Sequence, residues 1–447
     1  MTLFRRVRQW VFPGNASSFL LVVTLVALVL RLVWNLAIHP PGEFITSDMR
    51  SYWGQSSSML NFPFRKEGSA IFFPYGTAAL LTAVRYVFGA ENHVALGIAY
   101  ACLGTLLVPL VYYLAERLTK APLLPRIAAI IACFYYPWIS LGGYYLSELP
   151  FAVCVTAAAL CSLRLVDRGR GWDAFLFGTA VAIGLTIRPQ IILSIPLMLV
   201  VWAFRRRAWR GLTAGNWIRL ALPIVVVAGI SMARFHHHTG RLGFVSGNSP
   251  LNYAFGRCHA LVIEARLPNY YSAFTPPPMG YLEKRNKRLP DSFVRLDPAF
   301  GTKVSVRGTM WNPAPFEQLA QKCVEKTGPW RQIRYAIVHV IMLWGFNNLW
   351  PDSATDTLRY VMLGALSLHN VFLLPPLIVM LAASFRRRFA RHALLSLQIA
   401  ALVAVAVVYF GDVRYRAPYD GIIIALGLDG WRRIHGFIAS GAWRAWG

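Results

Sequence analysis

Stretches of about twenty mostly apolar residues recur along the whole chain, beginning with 19–38. A helix needs roughly 20 such residues to cross the hydrocarbon core of a bilayer. Backbone amides in that core must be satisfied within the segment, which leaves helices as the economical solution. Composition agrees: 56% of residues are apolar and 14% charged, whereas soluble domains carry about 25% charge. The expected fold is an all-α polytopic membrane protein of about ten transmembrane helices, with a mixed extracytoplasmic segment in its middle-to-C-terminal part. The first span contains Arg31 and Trp34 and lacks a small-residue cleavage pattern, so it reads as an uncleaved anchor.

The net charge of +26 does not point to nucleic acid, because it is scattered between spans. Much of it sits in short clusters: Arg5-Arg6-Arg8, Arg205-Arg206-Arg207-Arg210, Arg386-Arg387-Arg388-Arg391 and Arg432-Arg433. Such clusters flank spans on the cytoplasmic side and favour anionic lipid headgroups. The N-terminus is therefore placed inside. Spans are expected near 19–38, 93–115, 124–141, 146–165, 172–187, 190–204, 217–235, 358–384, 393–410 and 420–438. The apolar segment 70–88, broken by Pro74-Tyr75-Gly76, and the run 336–350 read as helices at the outer interface. Three regions follow: a membrane module over 1–235, an extracytoplasmic segment over 236–357 and C-terminal spans over 358–447. Cys102, Cys133, Cys154 and Cys161 lie in apolar spans and read as packing residues. Cys258 and Cys323 fall in the long polar segment, where they either form a disulfide or remain apart.

On this topology the polar groups gather outside. Asp48, Arg50, Tyr52, Lys66 and Glu67 lie on the first loop. Glu148 starts the fourth span, and Arg188 precedes Pro189 at the next outer turn. His236, His237, His238, Arg257 and His259 open the long loop, and Asp412, Arg414 and Arg416 stand between the last two spans. Ionisable groups near a membrane are costly and mark functional sites. A carboxylate within hydrogen-bond reach of an acceptor hydroxyl is a general base, and Asp48 is the candidate. Lys and Arg can hold a leaving phosphate; Lys66, Arg188, Arg414 and Arg416 are of the right type. Tyr52, Trp53, Tyr144 and Tyr145 can stack on a sugar face or an isoprenoid. Each residue also has a plainer role. Asp48 can cap the helix that follows, Glu148 can pair with Arg188, and Arg31 and Arg85 can snorkel to the interface. The three histidines can be a solvated span end, and Asp412 with the two arginines a turn network.

The ordered set resembles the GT-C superfamily of polyprenyl-phosphate-sugar-dependent glycosyltransferases, in particular bacterial relatives of protein O-mannosyltransferases and lipid A aminoarabinose transferase. Asp48-Met49-Arg50-Ser51-Tyr52 is similar to that superfamily's first-loop acid before a Tyr. Phe73-Pro74-Tyr75-Gly76 through Phe88-Gly89, Ser147-Glu148, Leu185-Thr186-Ile187-Arg188-Pro189, Gly256-Arg257-Cys258-His259 and Gly411-Asp412-Val413-Arg414-Tyr415-Arg416-Ala417-Pro418 follow in order. The resemblance implies that Asp48 is a catalytic base or an acceptor-orienting carboxylate. Glu148 is the second candidate catalytic residue, either orienting the acceptor or supporting Arg188, and Arg50, Tyr52, Lys66, Arg188, Arg257, His259, Asp412, Arg414 and Arg416 are the candidate substrate-binding residues. Met49 stands where a second acid is common, so no metal and no cofactor are expected. The implied activity is sugar transfer from a polyprenyl phosphate carrier to a lipid, glycan or protein acceptor outside the cytoplasmic membrane, in a multi-pass bacterial inner-membrane protein. A flippase of lipid-linked sugars and a ligase using polyprenyl-diphosphate glycans are the alternatives.

Overall fold

The computed structural model describes residues 15–119, 121–204, 213–258, 262–267, 270–274, 303–307, 314–345, 351, 356–384 and 390–440. Helices dominate. In chain order they are α1 (Ala16–Val33), α2 (Ser47–Asn61), α3 (Gly76–Phe88), α4 (His93–Leu118), α5 (Leu123–Phe134), α6 (Tyr136–Gly142), α7 (Glu148–Arg168), α8 (Gly171–Ile187), α9 (Ser194–Phe204), α10 (Ala214–Thr239) and α11 (Ser249–Arg257). After a small sheet come α12 (Ala314–Met342), α13 (Asp356–Ser384), α14 (Ala390–Val408), α15 (Val413–Arg416) and α16 (Asp420–Ser440). The sheet comprises β1 (Val262–Leu267), β2 (Tyr270–Phe274) and β3 (Lys303–Arg307), in order β2-β1-β3. β1 is antiparallel to β2 (Ile263 opposite Phe274) and parallel to β3 (Val262 opposite Lys303). It lies within the segment read from sequence as mixed. The arginines at 5–8, 205–210 and 386–388, and His259, lie outside the described residues.

The chain is a multi-pass α-helical membrane protein. Among the described residues six helices are long and apolar enough to cross a bilayer, or seven if α5 and α6, bent by 41°, form one span. The expected count of about ten is therefore not reached on length and composition. The 13 residues of α3 and the 17 of α8 are short for a crossing, and Pro189–Phe204 is a shorter apolar helix too. α16 carries Asp420, Asp429, Arg432 and Arg433.

α7 is the central helix: 83% of its apolar window is buried, against 17% for α1 and α10. The peripheral pair turn Leu21, Leu25 and Val29, and Ile218, Leu222 and Val225, outward. Around α7 the core is formed by Tyr100, Leu107 and Val111 of α4, Ala128 and Ala132 of α5, and Ile422 and Leu426 of α16.

Two arginines depart from the sequence expectation. Arg31 does not snorkel: it is buried and donates to the carbonyls of Ala27, Ala132 and Cys133. The chain breaks at Tyr135, and Pro137 has no N–H to give Cys133, so α5 leaves terminal carbonyls unmatched. Arg31 supplies the donors. Arg85 is likewise buried. Its guanidinium lies 3.8 Å above the Trp53 ring and donates to Ser56, Ser57, the Ala90 carbonyl and Glu91, tying α3 to α2. Cys258 and Cys323 form a disulfide, with a Cα–Cα distance of 5.3 Å. Cys133, Cys154 and Cys161 are buried, but Cys102 is exposed.

Candidate active site

Asp48 sits in the first turn of α2. The helix begins at an unusual backbone position: Ser47 has φ of +46°, and among the described residues it is the only non-glycine with positive φ. Backbone held in that region costs about 1–3 kcal/mol and collects at functional sites. Thr46 is the N-cap residue, and Asp48 does not cap the helix. Its Oδ2 instead accepts from Arg414 Nη2 at 2.9 Å. Among the described residues its other oxygen makes no hydrogen bond. The side chain is 26% exposed.

Glu148 opens α7 and is completely buried. Its Oε1 accepts from Arg188 Nη2 at 2.5 Å and from Arg414 Nε. Arg188 ends α8 because Pro189 follows; the residue before proline is pushed out of the helical region, and Arg188 is extended at φ −146°, ψ 108°. From there its Nε reaches Ser147 Oγ at 3.1 Å, and its guanidinium lies 5.0 Å from the Tyr415 ring centroid. The hydroxyl of Tyr52 is bonded to Ser147, and burial pushes it up to about 12, so it stays a neutral O–H. Arg414 belongs to the short α15, capped by Asp412, whose Oδ1 accepts from the Arg414 amide at 2.8 Å. Partial burial raises the Asp412 carboxyl to about 6, opposed by that amide and by the Arg414 guanidinium.

The result is a relay of alternating charge. Two arginines meet one buried carboxylate, and one of them extends to a second, accessible carboxylate. Glu148 touches no solvent, so of its two expected roles the support of Arg188 and Arg414 is what the geometry offers; it is not placed to contact an acceptor. A buried carboxylate bracketed by two guanidiniums is a rigid anchor, because removing either partner leaves an uncompensated buried charge.

A cavity of about 370 Å³ runs along α2, on a face of the helix that does not include Asp48; Glu148, Arg188 and Arg414 do not line it. Arg50, Gly54, Ser58 and Asn61 form one wall and Phe62, Arg65, Glu67 and Phe73 face it. Glu67 is held by Ser58 at 2.9 Å and Ser69 at 2.5 Å; the Ser69 bond, helped by Ser58, keeps its carboxyl below the usual range despite partial burial. The cavity thus combines two guanidiniums, hydroxyls and an aromatic rim. In the sequence Glu67 falls on the outer first loop without a role, and Arg65 is not singled out; the spacing 50, 54, 58 and 61 is that of one helical face and could have marked the opposite wall.

Other predicted residues are placed elsewhere. Arg416, two residues from Arg414, is sealed in the core. Its Nε bonds Asp420 at 3.0 Å, both side chains are 0% exposed, and Asp420 also accepts from Tyr135 at 2.6 Å. It is a structural ion pair and cannot reach a donor. Arg257 donates to the carbonyls of Val407 and Val408, at 2.7 and 2.5 Å, and to Gln332. Lys66 is exposed on the loop beside the cavity. Tyr144 and Tyr145 are buried, the former against His39 and Phe44, the latter against Trp53 and His93. They are not available to stack on a substrate. The three histidines end α10. His237 Nε2 lies 3.0 Å from the Phe64 carbonyl, and His238 Nδ1 accepts from the Glu67 amide at 3.2 Å, so they anchor the first loop to α10. Among the described residues no group of three or more His, Cys, Asp or Glu could hold a metal ion.

Residues 65–237 match the family model described as dolichyl-phosphate-mannose-protein mannosyltransferase. This match spans the Arg65–Glu67 wall, Glu148 and Arg188, and it bears out the resemblance to GT-C glycosyltransferases that use polyprenyl phosphate carriers. The particular fold is shared with the oligosaccharyltransferase of Archaeoglobus fulgidus, solved tethered to an acceptor peptide: TM-score 0.50 at 15% identity, over 96% of this chain and 51% of that one. The chain thus spans about half the length of that enzyme. ArnT from Cupriavidus metallidurans in the apo state aligns at TM-score 0.39 and 14% identity, over 93% of this chain and 77% of that one. No curated protein sequence matches the chain.

Proposed function

We propose that the protein is a membrane glycosyltransferase that moves a sugar from a polyprenyl phosphate carrier to an acceptor on the outer side of the bacterial cytoplasmic membrane, inverting the anomeric carbon. The observation that carries this reading is Asp48: a partly exposed carboxylate fixed by Arg414 to the buried Glu148–Arg188 pair, after a strained residue and on the same helix whose further turns line a cationic cavity. The acceptor oxygen attacks the anomeric carbon while the carbon–oxygen bond to the carrier phosphate breaks. The acceptor's proton passes to Asp48. The leaving polyprenyl phosphate takes up negative charge, which Arg50, Arg65 and Lys66 are of the right type to receive. The matched family is named for a dolichyl phosphate donor and a protein acceptor; here the acceptor class is a lipid, glycan or protein. The N-terminus is cytoplasmic, and α8, the 189–204 helix and α16 complete a count of about ten crossings. Residues 236–357 form the outer segment over the site.

The test uses purified protein in lipid with labelled polyprenyl-phosphate and polyprenyl-diphosphate sugars, both hexoses and pentoses, and a membrane extract as acceptor source. Release of free polyprenyl phosphate that depends on Asp48, with label moving to a new product, is the expected result. Movement of intact donor across the bilayer without release would make the protein a flippase instead.

A further inference from the structure

Arg414 stands on a short turn, and what holds that turn on its N-terminal side lies outside the reaction cluster. Residues 409–412 link α14 to α15. Gly256 of α11 packs against the Tyr409 carbonyl so closely that a Cβ would collide with it, and Gly411 packs in the same way against the His339 carbonyl of α12. The linker is therefore gripped from two sides by main chain, and only glycine fits at either contact. Arg257, at the end of α11, takes up the last carbonyls of α14, those of Val407 and Val408, which a helix end leaves unmatched. Ser249 Oγ lies 2.9 Å from the Tyr409 hydroxyl. Gln332 of α12 accepts from Arg257 Nη1 at 3.3 Å and donates to its carbonyl at 3.0 Å. One residue past Arg257, the Cys258–Cys323 disulfide joins α11, across 65 residues of chain, to the first part of α12, which kinks at Gly328 (φ +73°) before Gln332 and His339; Gln332 Nε2 donates back across the kink to Thr327 Oγ1 at 2.9 Å. Both cysteines are buried in a small apolar cluster with Phe235, Leu251, Phe255 and Phe316, separate from the main core. On its other side the turn is already rigid, through Arg416–Asp420 and the bond from Trp138 Nε1 to the Ala417 carbonyl at 2.9 Å.

We infer that the disulfide-closed pair α11–α12 is a clamp that positions Arg414, and through it Asp48, so that cysteine oxidation is a condition for full turnover. This rests on the proposed transferase reading. The clamp residues touch neither Asp48 nor Glu148; they are positioning residues. A disulfide suits an extracytoplasmic setting, and a displacement of about 1 Å in a reacting group can cost roughly 100-fold in rate.

The experiment compares full-length wild type in lipid, the same protein reduced with a phosphine, and Cys258→Ala/Cys323→Ala. Hydrogen exchange is read at 409–416 and at 148–168. Turnover is normalised to protein that elutes as a single species. The expected result is faster exchange at 409–416 with 148–168 unchanged, and a kcat lower by roughly 10- to 100-fold with donor KM within about twofold. Unchanged exchange at 409–416 after verified loss of the disulfide would overturn the clamp, as would unchanged kcat. If the alanine variant does not fold, the reduced wild type carries both readouts. If wild type turns over no donor, the transferase reading fails, and exchange alone then decides whether the clamp exists.

Discussion

Arg414 and Arg416 stand two residues apart on one short turn and do different work. Arg414 is 11% exposed and points to Asp48 and Glu148; Arg416 is 0% exposed and points to Asp420, within bonding reach of Tyr135. Residues i and i+2 of a helical turn face different ways, so one motif supplies both the cleft and the core. Both arginines pair with a fully buried carboxylate. What separates them is the second carboxylate: Arg414 also reaches Asp48, which is partly open, whereas Asp420 and its partners Arg416 and Tyr135 are all buried. A site needs a charge that can meet a substrate, and a structural pair needs only to be satisfied.

The largest effect expected is on the open side. Asp48→Asn keeps shape and removes the base, so release of polyprenyl phosphate falls by roughly 10²–10⁴-fold with little change in thermal unfolding. An unchanged rate at equal protein level would remove Asp48 from the base role and dissolve the contrast with Asp420. On the sealed side, Arg416→Met alone strands Asp420 and costs about 3–5 kcal/mol, read as a lower unfolding temperature. Arg416→Met with Asp420→Leu recovers most of that loss, because replacing both members of a buried pair is often neutral, and transfer is retained. Arg414→Met paired with any change at Glu148 does not recover transfer. If the double substitution at 416 and 420 abolished turnover while the protein stayed folded, the sealed pair would belong to the site.

Much of this was legible in the chain. Apolar runs gave a helical membrane protein, and the order of short motifs brought Asp48, Glu148, Arg188 and Arg414 into one set, which the structure draws together. The crossing number was less legible, because α8 and Pro189–Phe204 are short and α16 carries charges at its start, at Asp420, and from Asp429 to Arg433. Arg31 and Arg85 were misread because snorkelling presumes that lipid is the only neighbour. Arg31 answers carbonyls freed by a break at Tyr135 and by Pro137, and that partner is 101 residues away. The role of Arg416 was hidden for a related reason. Its carboxylate, Asp420, lies at i+4 and was visible, but its enclosure by Tyr135 and Trp138 comes from packing of distant chain. Whether Cys258 and Cys323 pair was open in the sequence, because it does not give their distance; the packing of α11 on α12 joins them.

The smallest predicted effect concerns pH and the residue that caps the turn carrying both arginines. In the folded protein the Asp412 carboxyl lies at about 6, above its ordinary 3.8, chiefly because burial disfavours its charged form, although the residue as a whole is half-buried. The folded state therefore keeps this proton over a range in which the unfolded chain has lost it. The sign follows from linkage: the contribution to stability is fully present below about 3.8, and it declines as pH rises to about 6. Asparagine caps a helix about as well as aspartate and has no proton to lose. Asp412→Asn is thus expected to leave the turn intact and to flatten this part of the stability profile, measured as unfolding temperature from pH 4 to 7. The difference between the two profiles isolates Asp412 from other titrating groups. Parallel profiles would mean that burial does not hold the proton on Asp412. The cap of the turn would then be no more desolvated than an open carboxylate, and the contrast would rest on Glu148 and Asp420 alone, both 0% exposed.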